Sequence, residues 1–74
     1  MTFIKFSNSI LNTAYIDAVY CYEAEKGMYF TTHLLCIGSL EQKERGSFKY
    51  AEFFANVEDR NRRYDELVKY LGAK

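Results

Sequence analysis

Tyr15-Ile16-Asp17-Ala18-Val19-Tyr20-Cys21-Tyr22-Glu23, then Ala24-Glu25-Lys26-Gly27, then Met28-Tyr29-Phe30-Thr31-Thr32-His33-Leu34-Leu35-Cys36-Ile37 is the stretch that decides the fold. Aromatic and β-branched residues on both sides of a polar, glycine-containing tetrapeptide are the composition of two strands joined by a turn. Gly27 can take the positive φ that a tight turn needs. A hairpin closed at Ala24 to Gly27 pairs residues whose numbers sum to roughly 51 to 53. In that register Cys21 faces the region of Phe30 to Thr32. One sheet face then gathers Ile16, Ala18, Tyr20, Tyr22, Tyr29, Thr31, His33 and Leu35, and the other gathers Val19, Cys21, Met28, Phe30, Leu34 and Cys36.

Working outward toward the N-terminus, Phe3 to Phe6 reads as a short strand with Ile4 and Phe6 on one side and Lys5 on the other. Ser7-Asn8-Ser9 is a turn, and Ile10 to Thr13 leads into the long strand from Tyr15 to Glu23. Toward the C-terminus, Gly38-Ser39 marks a turn or a bulge. Leu40 to Glu44 is expected as a fourth strand ending at Lys43-Glu44-Arg45-Gly46, and Ser47 to Phe54 as the last.

From Val57 the period becomes helical, with Val57, Asn61, Tyr64, Leu67, Val68 and Leu71 on one face. Asn56 is placed to cap the helix, Asp59 answers it three residues later, and Gly72 closes the other end. The spacing of Tyr50, Phe54, Val57, Asn61, Tyr64, Val68 and Leu71 leaves open a helix reaching back to Ser47. The dense aromatics from Phe48 to Phe54 and the cap at Asn56 favour a strand there instead.

The expectation is one α+β domain over residues 1–74: an antiparallel sheet of four to five strands packed by one C-terminal helix through Tyr64, Leu67, Val68 and Leu71. The chain has 74 residues, 49% of them hydrophobic and 18% aromatic. A core needing neither metal nor disulfide is therefore within reach, although a domain of this size buries only about 60% of its unfolded surface. Formal net charge is zero, so global electrostatics favour neither nucleic acid nor an acidic surface as a partner. The same neutrality, joined to abundant aromatic surface, lowers the barrier to self-association, so a homodimer is among the expected states. No apolar run reaches the roughly 18 residues of a membrane span, and the N-terminus lacks a signal-peptide stretch, so a cytoplasmic location without membrane contact is expected.

The order of these elements resembles small bacterial and phage proteins of uncharacterised function that share a PH-like half-barrel ending in a helix. The resemblance rests on Asn8, Ile10, Leu11, Asn12, Thr13 and Ile16 at the entry to the second strand, and on Glu58-Asp59-Arg60, Tyr64, Leu67 and Leu71 in the helix. It implies a fold, and no ligand or reaction. The region from Ile37 to Gly46 is longer and more charged than in that pattern.

No constellation of nucleophile and base, paired carboxylates or clustered metal ligands stands out, so the chain is expected to be non-catalytic and to need no cofactor. His33 is the only histidine, and no carboxylate is evidently placed beside it. In the expected register Cys36 pairs about five residues from Cys21, too far for a disulfide at roughly 3.4 Å per residue. Both thiols are expected reduced and in the core.

The candidate partner-binding set is Tyr20, Tyr22, Tyr29 and His33, an aromatic sheet face for an unidentified protein or a second copy of the chain. The competing reading covers that face with the helix, or buries the tyrosine rings and leaves only their hydroxyls wet. The alternative function is binding of single-stranded nucleic acid through the sheet with Arg60, Arg62 and Arg63. Against it, Asp59–Arg63, Glu58–Arg62, Arg62–Glu66 and Asp65–Lys69 are spaced to neutralise the helix surface.

Overall fold

A computed structural model describes residues 2–26 and 30–72. The first hairpin joins β1 (Phe3–Phe6) to β2 (Ser9–Asn12) through Ser7 and Asn8, which both take positive φ, 49° and 62°. Positive φ at both central residues is the geometry of the two-residue turn whose twist matches antiparallel strands. Phe6 pairs with Ser9 across that turn and Ile4 with Leu11. The ladder extends to the Thr13 N–H, which donates to the Thr2 carbonyl at 2.9 Å.

The expected long second strand is broken. Thr13–Tyr15 forms a 3-10 turn capped by the Asn12 side chain, which accepts from the Ala14 N–H at 2.9 Å, and β3 (Ala18–Lys26) starts only afterwards. β3 pairs with β4 (Phe30–Gly38), and β4 with β5 (Tyr50–Phe54), in the order β3-β4-β5. The strands thus divide into a two-stranded and a three-stranded antiparallel sheet instead of forming one sheet of four or five.

The β3–β4 register also departs from expectation. Ala24 pairs with Thr32 and Lys26 with Phe30, so most of the expected turn tetrapeptide is strand, and Cys21 faces Leu35. Gly27, Met28 and Tyr29 lie outside the described residues. The register differs from the expected one by an odd number of positions, which exchanges the faces of one strand relative to the other. Tyr20 and Tyr22 therefore share a face with Cys36 and Leu34, while Val19, Cys21 and Glu23 share the opposite face with Ile37, Leu35 and His33.

Leu40 to Glu44 is helix α1, not a strand. The Ser39 hydroxyl accepts from the Gln42 N–H at 3.1 Å, and the Gln42 side chain accepts from the Ser39 N–H at 2.8 Å. This reciprocal box satisfies two donors that would otherwise lack partners and starts a helix even over a short apolar-poor segment. β5 is shorter than the expected Ser47 to Phe54, and the alternative helix over that segment does not form.

Helix α2 (Val57–Tyr70) starts where expected, with Asn56 accepting from the Asp59 N–H at 2.9 Å, and Gly72 follows its end at a φ of 70°. Leu67 is buried with Ile4, Phe6, Leu35 and Ile37, and Tyr64 packs against the same cluster. Asn61, expected on the packed face, is exposed. Burial of a leucine such as Leu67 contributes about 2 kcal/mol of hydrophobic stabilisation. The helix thus holds both sheets to one core.

Candidate interaction surface

The expected tyrosine surface is largely covered. A row of residues runs across the three strands from Tyr20 through Cys36 to Ala51, and all three are buried, Tyr20 being 4% exposed. The segment that meets the tyrosine hydroxyls is α1 and the turn after it. The Tyr20 hydroxyl donates to the Ser47 carbonyl at 2.8 Å, and the Tyr22 hydroxyl donates to the Lys43 carbonyl. The two rings meet edge to face, with centroids 5.2 Å apart. Gly38 makes the close approach feasible: a Cβ there would lie 2.4 Å from the Tyr20 hydroxyl and 2.5 Å from Gln42 Oε1.

Burial raises the Tyr20 pKa, with smaller contributions from the neighbouring Cys36 and Tyr22. Burial likewise pushes the Cys36 thiol up to about 11. The Cys21 thiol is raised by burial too, less so because the Arg60 guanidinium favours its thiolate. Both cysteines are free. They are near neighbours in the observed register, Cys36 pairing with Tyr20 beside Cys21, but they point to opposite faces of the sheet.

His33 does not join the tyrosines. It pairs with Glu23 on the helix-facing side, its Nδ1 3.6 Å from Glu23 Oε1, so a carboxylate does stand beside it. Glu23 Oε1 is also 3.6 Å from Arg60 Nη1. Of the four expected partner residues the structure brings together only Tyr20 and Tyr22, since Tyr29 lies outside the described residues.

The three arginines do not converge either. Arg60 is 8% exposed and donates to the Tyr22 carbonyl at 3.3 Å. Arg62 is exposed beside Asp59 at 3.4 Å. Arg63 bonds Glu52 Oε1 at 3.1 Å and the Lys5 carbonyl at 2.7 Å, and it lies 3.5 Å from Glu66. Neutralisation of the helix surface is as expected in kind, but these ion pairs run three residues apart or across to β5, in place of the expected four-residue spacing.

One opening lies at the free edge of β5. A groove of 910 Å³ runs between β1 and β5, lined by Phe3, Lys5, Glu52, Phe53, Arg63 and Tyr70 among others. Phe3 is 52% exposed, Phe53 66% and Tyr70 54%. Across the two-residue turn, Phe6 and Ile4 point their backbone groups at β2, so those of Phe3, Lys5 and Ser7 point away from it. Side chains meet them there. The Tyr70 hydroxyl donates to the Phe3 carbonyl at 3.0 Å, Arg63 donates to the Lys5 carbonyl, and the Ser7 N–H donates to Glu52 Oε2 at 3.3 Å.

A second groove of 790 Å³ lies between β2 and α1, with Ile10 and Tyr15 exposed at its rim. The Lys49 ammonium there sits 5.9 Å from the centroid of the Tyr50 ring. Among the described residues no group of three or more His, Cys, Asp or Glu side chains is arranged to hold a metal ion, and no helix is long and apolar enough to cross a membrane. No family model, no curated protein and no solved structure matches the chain.

Proposed function

We propose that this chain is a small non-catalytic protein-interaction module that works in a reducing, cytoplasmic compartment. The observation that carries the reading is the groove between β1 and β5, where Phe3, Phe53 and Tyr70 remain exposed beside two strand edges. Exposed aromatics around a groove are the residue types that supply most of the binding energy at protein interfaces. The two free thiols support the compartment. The way β1–β2 and β5 pack around Leu67 supports reading the two sheets as a PH-like half-barrel with a gap at this groove.

The placement of the arginines lends the nucleic-acid alternative no support, because Arg60 and Arg63 are committed to internal partners. The test is the solution mass of the purified chain over a concentration series, followed by selection from a random peptide display library. A dimer broken by Phe53→Asp, or a monomer that selects peptides, is the expected result. A monomer that selects none overturns the proposal.

A further inference from the structure

We infer that the chain pairs with a second copy of itself through the groove between β2 and α1, about a two-fold axis that sets Asp17 of each copy against Lys49 of the other. This groove shares no lining residue with the β1–β5 groove, which stays open in each copy. β3 and β5 flank β4, and both run antiparallel to it. Asp17 immediately precedes β3 and Lys49 immediately precedes β5, so the two stand at one end of the sheet. Two strand spacings put their backbones about 10 Å apart.

The charges at this groove are self-complementary. Asp17, Arg45 and Lys49 line it. Arg45 lies 3.4 Å from Glu41, four residues earlier, and that pair cancels. Lys5, across the ladder from Ile10, lines the other groove. Asp17 accepts from the Leu40 N–H at 3.3 Å and Lys49 sits over the Tyr50 ring, but neither has an ion-pair partner among the described residues. One unspent carboxylate and one unspent ammonium give the groove no net charge with which to recruit an acidic or a basic partner. A two-fold axis passing between them brings each against its opposite in the second copy, the arrangement in which residue i meets j and j meets i. The whole chain is neutral as well, so no net repulsion opposes the pairing.

The apolar part of the groove fits the same occupant. Tyr15 and Ile10, 86% and 75% exposed, are the two most exposed large apolar side chains among the described residues, and both stand at this rim. In the pair the rim of each copy enters the groove of the other, which takes these side chains out of water.

The experiment is sedimentation equilibrium on the wild-type chain, on Asp17→Lys, on Lys49→Asp and on an equimolar mixture of the two variants, with circular dichroism confirming that each folds. The wild type should be a dimer. Each variant alone sets like charges against each other at both contacts and should raise the dissociation constant about tenfold or more. The mixture should recover most of the lost affinity, because each contact again joins a lysine to an aspartate, and recovery between chains is something a change inside one chain does not produce. Tyr15→Ser, which leaves both charges in place, should weaken the dimer as well. A wild type that stays monomeric to the highest concentration, variants that pair as tightly as the wild type, or a mixture no tighter than its components would overturn the inference. A dimer that Phe53→Asp breaks and the charge variants leave intact would overturn it too, while supporting the interaction reading. The Lys49→Asp monomer is then the species for peptide selection at the β1–β5 groove, where failure counts against that reading alone.

Discussion

Arg63 Nε donates to Glu52 Oε1 at 3.1 Å, and through this pair the C-terminal helix ties the first hairpin to the last strand. Arg63 also reaches the Lys5 carbonyl, and Glu52 also accepts from the Ser7 N–H. Two side chains thus bridge β1, β5 and α2.

Removing one partner should cost more than a surface ion pair does. Both side chains are about three-quarters buried, 27% and 24% exposed, so Arg63→Ala is expected to lose about 1–2 kcal/mol of stability. A urea double-mutant cycle with Glu52→Gln should return a coupling of about 1 kcal/mol, whereas additive losses would mean the pair does not act as a unit.

Gly38→Ala should destabilise the fold by about 1–3 kcal/mol, because the added methyl group meets the Tyr20 hydroxyl and the Gln42 amide. Combining it with Tyr20→Phe removes the nearer clash, so the double variant should be less unstable than the two single losses summed. Strict additivity in thermal or urea unfolding would show that α1 does not press on this glycine.

Stability should decline in alkali through Cys36. Its folded pKa, about 11, lies above its ordinary value of 9.0, so folding favours the neutral thiol. The contribution is fully present below pH 9 and is lost as pH rises from about 9 to 11, a change of roughly 2–3 kcal/mol. The raised Tyr20 pKa acts in the same direction once pH passes its ordinary value of 10.0. Unfolding free energies measured from pH 8 to 11 should show this decline flattened in Cys36→Ala, and an unchanged slope would contradict the assignment.

Ser39→Ala should cost about 1 kcal/mol by removing the cap of α1. Since α1 and the turn after it supply the carbonyls that hold Tyr22 and Tyr20, neighbours of Cys36 in the same buried cluster, the same change should speed alkylation of Cys36 at neutral pH. A loss of stability without faster alkylation would mean that α1 stays in place when its cap is gone.

Helix α2 was legible because cap, period and terminal glycine agree over Asn56 to Gly72, and Ile4 and Phe6 were legible from strand alternation. The hairpin register was not. Ala24 to Gly27 has turn composition, yet Ala24 to Lys26 pairs with Thr32 to Phe30, and an odd slip carries His33 away from the tyrosines. Ser39 and Gln42 did hold the signal for α1, a capping box three residues apart, but the apolar Leu40 beside charged residues reads equally as a strand edge. Glu52 and Arg63 carry no local signal, since only the assembled sheets and helix bring them together.

The openness of the β1 edge underlies the functional reading, and backbone amide exchange in the free protein tests it most directly. Ile4 and Phe6, paired with Leu11 and Ser9, should exchange slowly, while Phe3 and Lys5, facing the groove, should exchange much faster. Equal protection at all four amides would mean that the edge is already paired, and the groove would offer a partner no open strand edge on its β1 side.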